Sequence, residues 1–209
     1  MMKLPPLNKN LDIIDTINIS PIQKLITNHP ELWKSMTYRQ DKYKPHKNTE
    51  SIICIWSGSK NNIKQIIKHE PNYNLFETFI KNIINKLKFH FNWKKDIFIY
   101  KAMFAKLKAN KRITKHTDGG PLLRIPQRIH IPIFSEHNLI DVDINNITYH
   151  LKEGTIYNFN NTKPHRVINN SSKDRIHFII DVSEIGTLPN IEKNMITIKN
   201  FNDKLIEIL

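Results

Sequence analysis

From Ile97 to Val182 the apolar residues come in short bursts, each of a length that suits a strand and each stopped by residues that reverse the backbone. Ile97–Leu107, Ile125–Phe134, Ile140–Ile144, Ile147–Leu151, Thr155–Phe159, His165–Ile168 and Arg175–Val182 are rich in Ile, Val, Tyr and Phe, which favour a pleated backbone. Arg112–Lys115 adds a shorter segment. Ala109-Asn110-Lys111, Asn145-Asn146 and Asn169-Asn170-Ser171-Ser172-Lys173-Asp174 separate these segments, and asparagine tolerates the positive φ that tight turns require. About eight strands joined by short loops imply a mostly β fold with flanking helices around a double-stranded β-helix (jelly roll, cupin-like) core, whose facing sheets leave a mouth for a ligand.

The first half of the chain reads as support for that core. Ile13-Ile14 suits a short edge strand; Ser20-Pro21 reads as an N-cap with proline at the first helical position. A helix is expected over 21–37, interrupted at His29-Pro30, with a surface loop over Lys42–Glu50 and a strand over Ser51–Trp56. Asn62–Lys68 and then Asn74–Phe91 carry apolar residues at helical spacing, including Leu75, Phe76, Phe79, Ile80, Ile83 and Leu87. They predict the longest amphipathic helix of the chain, packed on the outside of a sheet. A short capping helix is expected over Asn202–Leu209. The whole reads as one domain over 1–209, with helical support and edge strands in 1–95, the jelly-roll core in 96–182 and a C-terminal extension in 183–209.

The 209 residues suffice for a sizeable core. One cysteine, Cys54, excludes an internal disulfide, fits a reducing compartment and reads as a packing residue. The N-terminus lacks the apolar core of a signal peptide, and no apolar run has the length of a membrane span. A soluble, cytoplasmic protein is expected. With 32 basic and 19 acidic residues the formal charge is +13, which suits a nucleic acid or an acidic protein as partner. The lysines, however, are spread along the chain with Asn and Ile, so the charge reads as composition rather than a patch.

Chemistry concentrates between Lys115 and Val182. His116 and Asp118, two residues apart on an extended strand, point to one face and can grip one ion together. With His165 they form the two-histidine, one-carboxylate set of Fe(II) oxygenases, which leaves coordination positions open. A hairpin centred on Asn170 would put Arg175 opposite His165, where its guanidinium could take a carboxylate by two parallel hydrogen bonds. His177 alternates with Arg175, and Arg128 with His130, so each pair shares a face. Arg124, Gln127, Tyr100 and Lys106 are further candidates for contact with a substrate. Each has a plain alternative: His116-x-Asp118 as a solvated loop, His165 as a hydrogen-bonded sheet histidine, Arg175 as a surface arginine opening a strand. What speaks for the site is their joint spacing, with Gly119-Gly120 after the first pair.

On these residues the chain resembles the aspartyl/asparaginyl β-hydroxylase family of 2-oxoglutarate- and Fe(II)-dependent oxygenases, including its relatives that hydroxylate free proline. The matching elements are Ile113-x-x-His116, Arg128-x-His130-Ile131-Pro132, Glu153-Gly154, Phe159-Asn160-Asn161-x-x-x-His165 and Arg175 followed by Asp181-Val182. Together they are specific and cover roughly the C-terminal half. The resemblance implies that His116 and His165 bind Fe(II), that Arg175 holds the distal carboxylate of 2-oxoglutarate, that His130 helps seat this cosubstrate, and that Arg128 faces the substrate. The best known members use two histidines without a carboxylate, whereas Asp118 is offered here as in the free-proline relatives. Ala109-Asn110 stands where relatives often have Pro-Gly, and Ala105 where a small polar residue can assist the cosubstrate. The implied activity is hydroxylation of an amino acid side chain, in a peptide or protein or as a free amino acid, with succinate and CO2 as co-products. Two alternatives stay open: a non-catalytic jelly-roll protein that binds a metal or ligand, and a nucleic-acid-directed 2-oxoglutarate oxygenase.

Overall fold

The computed structural model describes residues 9–34, 47–57, 66–118, 126–193 and 195–198. In chain order the elements are β1 (Leu11–Thr16), α1 (Ser20–Asn28), a 3-10 turn (Pro30–Lys34), β2 (Thr49–Ser57), β3 (Ile66–His69) and α2 (Glu70–Phe91). There follow β4 (Ile97–Leu107), β5 (Arg112–His116), β6 (Gln127–Phe134), β7 (Ile140–Ile144), β8 (Ile147–Tyr149) and β9 (Thr155–Phe159). β10 (His165–Asn169), β11 (Arg175–Glu184), α3 (Pro189–Glu192) and β12 (Met195–Ile198) complete them. The strands form a major sheet in the order β1-β9-β6-β11-β4-β2-β3-β12 and a minor sheet in the order β5-β10-β7-β8. All pairings are antiparallel except that of β12 with β3.

Strand alternation gives the major sheet two different faces. On β11, Ile176, Phe178, Ile180 and Val182 join Phe76, Phe79, Ile80, Ile83 and Leu87 of α2 in the larger core, together with Ile22 and Ile26 of α1. Phe104 anchors this layer, with ring centroids 4.5 Å from Phe76 and 4.8 Å from Phe178. The opposite face looks toward the minor sheet, and a second apolar cluster there joins Leu107, Tyr157 and Phe159 to Ile113, Ile140, Val142, Ile144 and Val167. Two stacked sheets, one covered outside by helices, form the expected jelly-roll core.

Several expectations change in detail. The helix expected over 21–37 stops at Asn28, because Pro30 disfavours helical backbone at His29 (φ −125°, ψ 63°). Its N-cap is Ile19 rather than Ser20, whose N–H is accepted by Asn18 Oδ1. Ile66–Lys68, expected to be helical, is strand: Ile66 and Ile67 are fully buried where β3 pairs with β2, so tertiary pairing overrides their spacing. The helix begins after His69, whose Nδ1 accepts from Asn72 N, and it ends at Asn92 with φ 52°. Leu75, placed on its apolar stripe, is exposed. At the Asn145-Asn146 turn both residues have positive φ, the requirement of a two-residue hairpin whose twist matches its strands.

The largest correction concerns Asn169–Asp174. It is not a hairpin turn: β10 pairs with β5 and β7, while β11 pairs with β4 and β6, so the segment carries the chain from the minor sheet to the major one. Asn169 ties this crossing together. Its Oδ1 accepts from Ser171 N and Oγ at 3.0 and 2.8 Å, and its Nδ2 donates to Lys173 O at 2.8 Å and more loosely to Leu107 O and Lys108 O. Residues 35–37, 42–46, 62–65, Gly119-Gly120, Arg124-Ile125 and the helix expected over Asn202–Leu209 lie outside the described residues.

Candidate metal centre

β5 ends on His116 and β10 begins on His165, and the two are direct cross-strand partners with ring centroids 4.3 Å apart. Asp118 follows just past the strand, its N–H donating to Asn161 O at 3.3 Å. One ligand atom from each of His116, Asp118 and His165 lies within 4.8 Å of the others. The two imidazoles are oriented alike. A backbone carbonyl can only accept, so His116 Nδ1 donates to Thr114 O (2.7 Å) and His165 Nδ1 donates to Lys163 O (2.9 Å). In the neutral imidazole this is the tautomer a metal needs, with the lone pair on Nε2 and the orienting carbonyl behind it. Burial holds His165 neutral, lowering it to about 4.

Arg175 and His177 lie on the inner face of β11 and both are buried. Arg175 Nη2 donates to His177 Nδ1 at 2.5 Å, which places the imidazole proton on Nε2. That atom has no hydrogen-bond partner among the described residues. Burial, reinforced by Arg175 and His130, drives His177 well below its ordinary range, so it is a neutral donor. Ala105, directly opposite on β4, supplies no polar side-chain atom. His130, on the neighbouring β6, stacks on Phe159 with centroids 4.4 Å apart, and the edge of Phe159 meets His165 at 5.2 Å. Arg175, His177 and His130 thus share the inner face of one sheet, across from the imidazoles of the other.

Arg128 occupies that face too. Its Nε and Nη2 donate to the two oxygens of Asp181, each at 2.7 Å, and its Nη1 donates to Asp118 Oδ2. Where the resemblance assigns Arg128 to the substrate, its guanidinium meets two carboxylates of the chain itself. Burial alone would raise the Asp181 carboxyl, but Arg128 and Lys101, whose Nζ is 3.6 Å away, hold it below the usual carboxylate range. Asp181 and Asn161 both belong to the motifs that carry the resemblance, but neither is assigned a role at the site by sequence alone. One signal was available for Asp181: an acid in an apolar strand, in phase with Arg175 and His177. Of the further candidates, Tyr100 is turned into the helix-side core with its hydroxyl on Ser183 Oγ, and Lys106 pairs with Glu50. Gln127 accepts from Asn158 Nδ2. Among the described residues no helix is long and apolar enough to cross a membrane.

Two ligand types fit these residues. The donor set at His116, Asp118 and His165 has the composition and tautomers for a divalent first-row metal with open positions. The buried cationic Arg175, beside the unpartnered His177 donor, is suited to the carboxylate of a small dianion.

The fold has counterparts among solved structures. The viral collagen prolyl hydroxylase of Paramecium bursaria Chlorella virus-1, in complex with 2-oxoglutarate, superposes with a TM-score of 0.53 at 13% identity, over 87% of this chain and 99% of that one. A Trichoplax adhaerens prolyl hydroxylase, bound to a fragment of a hypoxia-inducible-factor oxygen degradation domain, gives 0.54 at 11% identity over 86% of each chain. HygX from Streptomyces hygroscopicus, with nickel, 2-oxoglutarate and hygromycin B bound, gives 0.53 at 7% identity over 85% and 84%. At such identities the likeness is one of fold. No curated protein is significantly similar to the chain in sequence. The profile of the aspartyl/asparaginyl β-hydroxylases, however, matches residues 22–184. The chain therefore belongs to the aspartyl/asparaginyl β-hydroxylase family, and with it to the 2-oxoglutarate- and Fe(II)-dependent hydroxylases.

Proposed function

We propose that the protein hydroxylates an amino acid side chain, in a peptide or protein or as a free amino acid, with succinate and CO2 as co-products. The observation that carries this reading is the convergence of His116, Asp118 and His165 within 4.8 Å, at the junction of two strands that face the inner side of the major sheet. In this reading His116, Asp118 and His165 hold Fe(II), and Arg175, with His177 and His130 beside it, holds 2-oxoglutarate. Bound together, metal and cosubstrate supply the oxidation that places one oxygen atom of O2 into a C–H bond while 2-oxoglutarate loses CO2.

The protein's part is orientation and exclusion. Thr114 O and Lys163 O fix the two imidazoles through Nδ1, on the side away from Nε2. Arg175 neutralises a carboxylate in a buried place where charge attraction is weakly screened. Phe159 packs against both His130 and His165 and gives the space between them an apolar wall. Hydroxylation of an amino acid side chain is supported by the family to which the chain belongs.

The test is conversion of 2-oxoglutarate to succinate by the purified protein with Fe(II), under O2, across a panel of peptides and free amino acids. Substrate-stimulated turnover, lost in His116→Ala and His165→Ala, is expected. Succinate formation that survives both substitutions would refute the assignment, as would a mass shift other than one oxygen atom in the product.

A further inference from the structure

Asp118 lies beyond the last residue of β5, its N–H donating to Asn161 O at 3.3 Å. Its side chain is held too, and asymmetrically. Oδ2 accepts from Arg128 Nη1 and, at 3.4 Å, from Asn161 Nδ2, while Oδ1 lies 3.8 Å from His116 Nε2. Arg128 is itself gripped from behind by Asp181, which takes Nε and Nη2 in two parallel bonds. Asp181 is 2% exposed and stands on β11, next to β6 in the sheet. Cα pairing of Asp181 with Arg128 means that two rigid strands set the position of the guanidinium.

We propose that Asp181 and Arg128 form a buried relay that fixes Asp118 with one oxygen toward the metal, making Arg128 a positioning residue for the third ligand rather than an anchor for substrate. The inference rests on the metal site proposed above. Two geometric facts support it. The planar fork of arginine delivers Nη1 in a direction determined by the other two bonds, so the orientation of Asp181 is passed on to Asp118. To reach a substrate carboxylate, Arg128 would have to leave Asp181 buried with, among the described residues, only Lys101 Nζ, 3.6 Å away, as countercharge. Asn161 adds a second restraint from the turn before β10, tying Asp118 to the segment that also places His165.

The experiment is a titration of the metal-free protein with Co(II) chloride, followed by visible absorption, in a double-mutant cycle. One arm is Arg128→Lys, which keeps the charge and loses the fork. The second is Arg128→Met combined with Asp181→Leu, which removes both charges so that neither is left buried without the other. Both are made in the wild-type and the Asp118→Ala backgrounds, with circular dichroism confirming the fold. In the wild-type background Co(II) affinity is expected to fall about 10–100-fold, the range for lost outer-shell partners. In Asp118→Ala the same changes should have almost no further effect. Equal losses in both backgrounds would overturn the relay, as would unchanged Co(II) affinity with a raised KM for substrate. If the wild-type protein binds no Co(II), or binds it as well after His116→Ala and His165→Ala, the metal site itself is wrong, an outcome distinct from failure of the relay.

Discussion

Replacing Asn169 with alanine strikes the crossing between the two sheets without touching either imidazole or Arg175. Asn169 is 1% exposed, and its amide makes three well-formed bonds, to Ser171 N, Ser171 Oγ and Lys173 O, besides two longer ones to Leu107 O and Lys108 O. Each good bond contributes about 0.5–1.5 kcal/mol net, and a buried group left without a partner costs about 1–3 kcal/mol. Lys173 O retains Ser171 Oγ, so the chief orphan is the Ser171 N–H. A loss of about 2–4 kcal/mol follows, which for a chain of this size lowers Tm by roughly 5–15 °C. Urea denaturation of the metal-free protein, with m compared between variant and wild type, measures it. At a temperature well below both transitions, Co(II) affinity should stay within about threefold, since the histidine orientations are set by Thr114 and Lys163. A stability loss under about 1 kcal/mol would refute the view that this side chain holds the crossing.

Three other outcomes are expected. Gly154 has φ +71°, and a Cβ there would stand 2.9 Å from Ile17 O, so Gly154→Ala should cost at least about 1–2 kcal/mol in a thermal melt; an unchanged Tm would show that the Pro132–Gly154–Ile17 junction yields easily. Burial lowers His69 from 6.5 to about 4, so the unfolded chain binds the extra proton between those values. His69 therefore favours the fold fully above pH 6.5 and progressively less as pH falls toward 4; His69→Asn, which keeps a capping acceptor, should flatten the wild-type stability curve there by up to about 3 kcal/mol, and parallel curves would contradict it. Arg175→Ala should weaken 2-oxoglutarate binding by at least about tenfold while leaving Co(II) affinity near wild type, read by calorimetry on the Co(II) form; unchanged 2-oxoglutarate affinity would remove Arg175 from its role.

Much of the fold was legible because its signals are local. Ile97–Leu107 and Thr155–Phe159 match strands β4 and β9 end to end, since period-two patterning bounded by turn residues needs no distant partner to be recognised. Asn145-Asn146 and Asn110 adopt the positive φ their residue type allows. Ile66-Ile67 misled because apolar spacing over a few residues fits helix or strand equally well, and pairing with β2 decides. At the site, spacing and resemblance singled out His116 and His165, but the expected hairpin put Arg175 opposite His165, where His116 stands instead and Arg175 pairs with Leu107. The segment after β10 has the composition of a hairpin turn, whereas Asn169 bonds it across to β4.

Residue order alone was enough for the eight strands β4–β11 of a two-sheet β core, the helix that covers it and the identity of the three metal-binding candidates. Those properties depend on periodicity and side-chain chemistry within a short span. Which carboxylate Arg128 faces was settled only when β6 and β11 lay side by side, because 53 residues separate Arg128 from Asp181 in the chain. No local pattern encodes that distance. A guanidinium has the same donors whether it meets a substrate or a buried aspartate, and packing alone chooses between them.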